Sequence, residues 1–179
     1  MRTRRGLTGT AVLVTVIASI CIGAALLPAG AEARRVRTDR AYGTCTYVTA
    51  QSGRTEELTF SIRPATGGLP ASGYILHGDP AGSWAAAVSA AAVEGRDAYF
   101  GGAMLWWVLD VPPGSDAPQP VETNVYVAVH DGGLPGGAGD TVFVTIGDLV
   151  DPAALVAARY MPPLSTVGIA SGDLVVIDR

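Results

Sequence analysis

Side chains that could carry out acid, base or nucleophilic chemistry are few in this sequence of 179 residues. It contains two histidines, His77 and His130, two cysteines, Cys21 and Cys45, and no lysine. A serine hydrolase needs a nucleophile, a base and an orienting acid, and the G-x-S-x-G motif is not present. His130 is followed by an aspartate, but adjacent residues of a strand point to opposite faces. We therefore predict no enzymatic site, no disulfide scaffold and no cysteine-based zinc site.

Aspartates at the ends of glycine-rich turns are the best candidates for a metal site. Asp131 and Asp140 bracket the loop 131–140, and Asp148 and Asp151 bracket the next turn. Because Ca²⁺ binds carboxylates together with loop carbonyls, Asp131 and Asp140 form a candidate calcium site. Calcium is the only cofactor that the sequence suggests. The spacing is not that of an EF-hand, so the favoured interpretation is that these aspartates cap turns by accepting backbone N–H groups.

Two adjacent tryptophans, Trp106 and Trp107, are candidate ligand-binding residues. In a strand they point to opposite faces, so one fills the core and the other emerges near the proline-rich segment 112–120. An exposed tryptophan beside acidic side chains is common in glycan-binding surfaces, which makes a glycan or cell-wall contact a hypothesis for the partner. The favoured alternative is an outward tryptophan that the 112–120 segment covers.

The first 33 residues have the features of a cleaved export signal. A basic start with Arg2, Arg4 and Arg5 precedes an uncharged stretch from residue 7 to 27, and small residues follow it. Cleavage after Ala31 or Ala33 fits the requirement of a signal peptidase, which predicts a secreted or cell-surface protein. Because this stretch of 21 uncharged residues is long enough to cross a bilayer, an uncleaved anchor is the alternative. Export by the general or the twin-arginine route is left open.

Charge is distributed unevenly along the chain. An arginine-rich tail, residues 34–41, follows the signal, whereas residues 41–179 hold 5 arginines and 14 acidic residues, a net charge of −9. Such a surface repels phosphates and anionic lipids, so nucleic-acid binding is excluded and no membrane contact is expected beyond the signal. Cys45 is the only cysteine after the signal. It is predicted to be a buried small apolar residue or to form an intermolecular disulfide.

Most of the remaining chain alternates between apolar and polar residues in short segments, which predicts strands joined by turns. The clearest strand is 121–130, and the others are 43–49, 57–63, 73–78, 97–102, 104–111, 141–147, 156–161 and 173–178. Segment 83–95 is ambiguous, because its alanine content favours a helix. If it is a strand, Trp84, Ala86, Val88, Ala90 and Ala92 share one face.

The order of strands and turns after residue 97 follows a recognisable pattern. A strand ends in Asp131, a loop contains Gly133, Pro135 and Gly136, a second aspartate, Asp140, opens the next strand, and the closing strand carries Gly172, Leu174 and Val176. This pattern resembles the small exported bacterial domains called post-COAP domains, over roughly residues 43–178. The resemblance implies an all-β domain in which 84–93 is a strand. It implies no activity.

The sequence thus predicts a single antiparallel all-β domain over residues 42–179, a β-sandwich or flattened barrel of about eight or nine strands. We expect a secreted or cell-surface non-enzymatic domain with a structural or ligand-binding role. The alternative is a small secreted hydrolase with an unrecognised site. Carboxylates clustered with a histidine in one cleft would favour the hydrolase, whereas isolated aspartates in turns would favour the non-enzymatic domain.

Overall fold

The computed structural model describes residues 38–49, 53–79, 82–108, 121–134, 136–163 and 165–179. The predicted export signal and the proline-rich segment 112–120 lie outside them. The strands are β1 (Arg40–Val48), β2 (Thr55–Arg63), β3 (Ser72–Asp79), β4 (Gly82–Ala87), β5 (Ala90–Glu94), β6 (Asp97–Val108), β7 (Val121–His130), β8 (Thr141–Ile146) and β9 (Val167–Ile177), and one short helix, α1 (Pro152–Ala157), precedes β9. The predicted all-β class is confirmed.

The strands close into an antiparallel barrel. Their order is β4-β3-β2-β1-β9-β8-β7-β6, and β4 also pairs with β6, from Gly82↔Val108 to Ala86↔Met104, which closes the ring of eight strands. β5 is an additional strand that pairs with the first half of β6. Of the two predicted architectures, the barrel is therefore the one that forms. Arg40 and Ala41, predicted as the end of the tail, belong to β1.

Alternation along each strand fills the barrel interior. On β2, Leu58, Phe60 and Ile62 are buried, as predicted, and face the buried valines of β7. Phe60 contacts Phe100 of β6 across the interior, with ring centroids 4.8 Å apart. Because side chains of a strand point alternately inward and outward, alternate residues of β1, β2 and β7 belong to this core.

The ambiguous segment 83–95 forms two strands, not a helix. β4 places Trp84 and Ala86 inside the barrel, whereas Ala90 and Ala92 of β5 pack on the outer face. Val88 and Ser89 interrupt the pairing, and this irregularity reverses the faces, so the expectation of one shared face is wrong. Gly102 permits the bend, because a Cβ there would collide with the carbonyl oxygen of Ala87.

The strand predicted at 156–161 is not formed: residues 156 and 157 end α1, and residues 158–161 form a turn and irregular backbone. Asp151 caps the helix by accepting N–H hydrogens from Ala153 and Ala154, and Pro152 occupies its first turn. The helix and the residues after it cover the outer face of β6 and β7, where the buried Tyr126 donates a hydrogen bond to the carbonyl oxygen of Tyr160. Within the described residues, no helix is long and apolar enough to cross a membrane.

Candidate functional site

A cluster of three polar side chains lies inside the barrel. Glu56 Oε2 accepts a hydrogen bond of 2.8 Å from the Tyr47 hydroxyl and lies 2.9 Å from His77 Nε2. An ionised carboxylate only accepts hydrogen bonds, so Nε2 carries the hydrogen of the second contact. The side chains of His77 and Glu56 are 4% and 16% exposed. No described residue bonds to the second carboxylate oxygen, Oε1.

Strand register brings these three residues together. Tyr47 of β1 pairs with Glu56 of β2, and the next residue but one on β2, Leu58, pairs with His77 of β3. Glu56 has the inward orientation of Leu58 and Phe60 because it lies two and four residues before them on the same strand. His77 follows the buried Ile75 in the same way. The cluster thus replaces the apolar core at one end of the barrel.

Trp84 completes the cluster from the neighbouring strand. Its indole ring stacks on the imidazole of His77, with centroids 4.7 Å apart and planes inclined by 7°. His77 Nδ1 and Trp84 Nε1 are both buried, and neither has a hydrogen-bond partner among the described residues. A buried polar atom without a partner costs about 1–3 kcal/mol. Two such atoms, in rings that stack on each other, mark a place where stability is given up, which is typical of a functional site.

A cavity of about 740 Å³ opens next to this cluster. It lies at the contact of β8 with β9, where the strands pair only through Thr141↔Gly168 and Val142↔Val167. Beyond Val142, β8 has no β9 partner, and residues 143–146 of β8 line the cavity. Its lining combines the polar residues Tyr47, Thr49, Glu56, His77, Thr145 and Ser165 with the apolar residues Val142, Phe143, Val144, Ile146 and Val167.

The electrostatic character of the cavity is set by one side chain. Glu56 is the only carboxylate among the described lining residues, and no arginine is among them. A carboxylate in a partly buried site interacts more strongly with a ligand than an exposed one, because the surrounding dielectric is lower. The apolar walls from β8 and β9 add contact area for a hydrocarbon group.

The predicted calcium ligands lie elsewhere and act as structural acceptors. Asp140 is 2% exposed, and its two oxygens accept N–H hydrogens from Gly132 at 2.8 Å and Leu174 at 2.9 Å. Asp131 accepts from the N–H groups of Gly133 and Val176. This is the turn-capping arrangement that the sequence favoured over calcium. The described residues hold no group of three His, Cys, Asp or Glu side chains suited to a metal.

The other groups singled out in the sequence do not join the cluster. His130 Nδ1 lies 2.7 Å from Asp97 Oδ1 on the adjacent strand, near the surface. Cys45 is buried and forms no disulfide with another described residue, in agreement with the prediction of a buried small apolar residue. Burial, reinforced by the negative charges of Asp140 and Glu57, raises the pKa of its thiol to about 12, so it is a poor nucleophile.

Trp106 and Trp107 belong to β6, and their side chains lie outside the described part of the structure, as does Pro135. The glycan hypothesis stays a prediction. Sequence reasoning missed Glu56 and His77, although a signal was present. Extending the alternation of Leu58, Phe60 and Ile62 by one step back reaches Glu56, a charged residue on an inward face.

Comparison with known proteins adds no relative. No family profile matches the chain, and neither a curated protein nor a solved structure matches it. The function must therefore be argued from the site itself.

Proposed function

We propose that this protein is an exported, non-enzymatic barrel that binds a small molecule in the cavity beside Glu56 and His77. The observation that carries the proposal is the polar cluster of Tyr47, Glu56 and His77 in the wall of a cavity of about 740 Å³. Behind it, His77 Nδ1 and Trp84 Nε1 are buried without a hydrogen-bond partner among the described residues. Small-molecule sites in proteins are concave and mostly apolar, with a few polar groups that fix the orientation of the ligand. The combination of Glu56 and His77 with the valines of β8 and β9 has this character.

Binding is tested by recording protein NMR spectra of the purified protein against a library of small fragments. We expect a subset of fragments to shift the resonances of Val144, Val167 and His77 together. The variant Val144→Trp fills the cavity and should abolish these shifts. Val48→Trp is the matched control, because Val48 is exposed on β1 and does not line the cavity. Shifts that persist in Val144→Trp, or a library without any cavity ligand, would overturn the proposal.

Export is the second part of the proposal, and it rests on the sequence of residues 1–33. Mass spectrometry of the protein from its native cells is expected to find a chain that starts at Glu32 or Arg34. A chain that retains residues 7–27 would indicate a membrane-anchored protein and not a secreted one. Detection of the full chain in the cytoplasmic fraction would contradict export altogether.

A small hydrolase is the second candidate, because Glu56 and His77 place a carboxylate and a histidine in one cleft. Glu56 would orient the imidazole through Nε2, and Nδ1 would take a proton from a water molecule that attacks an ester carbonyl. The proton would then pass from Nδ1 to the leaving alkoxide as the ester C–O bond breaks. We favour binding, because Nδ1 is shielded from solvent and no hydroxyl or thiol of the described residues bonds to it.

The two candidates are separated by an activity assay. Incubation with a panel of p-nitrophenyl esters of different chain lengths should release no nitrophenol above the rate of His77→Phe. Phenylalanine keeps a planar ring against Trp84 but has no base. Hydrolysis by the natural protein that is lost in His77→Phe would favour the hydrolase over the non-enzymatic domain.

A further inference from the structure

We infer that the ligand of this cavity carries a cationic ammonium group on a small apolar body, and that the ammonium group binds Glu56. This inference rests on the proposed function and adds the chemical class of the ligand. It follows from the charges, the hydrogen-bonding capacity and the shape of the cavity.

The charges of the cavity select against anions. Glu56 is the one carboxylate of the described lining, and no arginine balances it there. Tyr47 and His77 both direct a hydrogen towards Oε2, and no described residue donates to Oε1. A carboxylate ligand would face Glu56 with like charge, whereas an ammonium group would form a charge-assisted hydrogen bond with Oε1.

The hydrogen-bond acceptors of the cavity also favour an ammonium group. Glu56 Oε1 has no donor among the described residues, and the hydroxyl of Ser165 adds a further acceptor to the lining. An ammonium group supplies three donors, so it can satisfy acceptors that a neutral alcohol, with one donor, leaves unpaired.

The aromatic and apolar surroundings suit the rest of such a ligand. Tyr47, an aromatic residue of the cavity lining, lies next to the Glu56 carboxylate, and an aromatic ring beside a carboxylate favours an organic cation. Val142, Val144 and Val167 provide an apolar wall for a hydrocarbon chain. The net charge of −9 over residues 41–179 raises the local concentration of cations around the whole domain.

The class is tested with three probes that differ only in the head group: n-hexylamine, n-hexanol and sodium hexanoate. Dissociation constants are measured at pH 7 by NMR titration of the cavity resonances. We expect hexylammonium to bind about tenfold or more tightly than hexanol, and hexanoate to bind least. The preference should shrink as salt is added, although less than for an exposed charge pair.

Two neighbouring variants locate the effect. Glu56→Gln keeps the size of the side chain and removes its charge, so it should weaken hexylammonium binding about tenfold and leave hexanol binding nearly unchanged. Glu57→Gln is the matched control, because Glu57 is the next residue of β2 and is exposed. Thermal melting of both variants verifies that each remains folded.

The outcomes separate this inference from the proposed function. Equal binding of hexylammonium and hexanol, or tighter binding of hexanoate, would overturn the ligand class while the cavity remains a binding site. If none of the three probes binds but other fragments do, the ligand class is likewise overturned and the cavity remains a binding site. If no fragment of any class shifts the cavity resonances, the proposed function itself fails.

Discussion

The imidazole of His77 stacks on the indole of Trp84, with ring centroids 4.7 Å apart, while its Nε2 lies 2.9 Å from Oε2 of Glu56. The ring is therefore held by stacking and by hydrogen bonding at once. This double restraint orients Nε2 towards Glu56 and fixes the position of the polar cluster within an otherwise apolar barrel.

Replacing Trp84 by alanine should lower the free energy of unfolding by about 3–5 kcal/mol, because it removes a large buried side chain and leaves a cavity. Tyr74→Ala is the control, since Tyr74 is an exposed aromatic residue of β3 and should cost less than about 1 kcal/mol. Urea unfolding followed by circular dichroism measures both. Equal losses in the two variants would contradict the placement of Trp84 in the core.

Glu56→Ala should destabilise the protein by about 1–3 kcal/mol, because the Tyr47 hydroxyl and His77 Nε2 both lose their acceptor inside the barrel. Glu57→Ala removes the same kind of charge from the exposed face and should change stability by less than about 0.5 kcal/mol. Denaturant unfolding of the pair gives the difference directly. If the two variants are equally stable, Glu56 does not hold the cluster together.

Asp140→Ala should be among the most destabilising changes, at about 2–4 kcal/mol, because the N–H groups of Gly132 and Leu174 lose their shared acceptor. These bonds join the loop 131–140 to β9. Asp173→Ala is the control, since Asp173 is exposed on β9. Thermal or urea unfolding measures both variants. If Asp140→Ala lowers the free energy of unfolding no more than Asp173→Ala does, Asp140 is not the structural acceptor that these bonds indicate.

Calcium should leave the melting temperature unchanged. All four carboxylate oxygens of Asp131 and Asp140 accept backbone hydrogens, so turn capping accounts for both residues without a metal. Melting curves with excess CaCl₂ and with EDTA are expected to superimpose. A rise of several degrees with calcium would restore the metal site, because a ligand that binds only the folded state raises stability.

Alkaline pH should destabilise the protein partly through Cys45. The pKa of its thiol is raised from 9.0 to about 12 in the folded protein, mainly by burial. Below pH 9 the thiol is protonated in the folded and the unfolded state, so its contribution to the free energy of unfolding is fully present. Between pH 9 and about 12 only the unfolded chain loses the proton, so stability falls by about 1.4 kcal/mol per pH unit.

This contribution is isolated with Cys45→Ala. Urea unfolding is measured across the alkaline range for both proteins, and only the slopes against pH are compared, since the substitution also changes packing. Tyr126, whose pKa is likewise raised by burial, affects both proteins equally. The Cys45→Ala protein should show the shallower slope, and parallel curves would contradict the effect of burial on the thiol.

Strands with strict alternation were predicted best. Val125, Val127 and Val129 of β7 and the apolar residues of 57–63 face the interior as expected. Two-residue periodicity is a local property of the sequence, and the barrel preserves it. The prediction at 156–161 is wrong because Asp151 and Pro152 begin a helix just before the apolar residues of that segment. That pair is a signal for the start of a helix.

The candidate site was not predicted, because its residues come from separate strands. Tyr47, Glu56 and His77 are ordinary residues in three short segments, and only the register between β1, β2 and β3 makes them neighbours. The cavity beside them depends on the short pairing of β8 with β9, which no local pattern encodes. Trp106 and Trp107, by contrast, are an adjacent aromatic pair that is visible in the sequence alone.

The all-β class, most of the strands and the acidic character of the domain follow from local sequence features, because alternation, turn residues and charge act locally. Three features follow from the fold alone: the sheet closes through β4 and β6, the irregularity at Val88 and Ser89 reverses the faces of β5, and a carboxylate, an imidazole and an indole meet inside the barrel. These features depend on pairing between distant segments, where a shift of one residue moves a side chain from the interior to the surface.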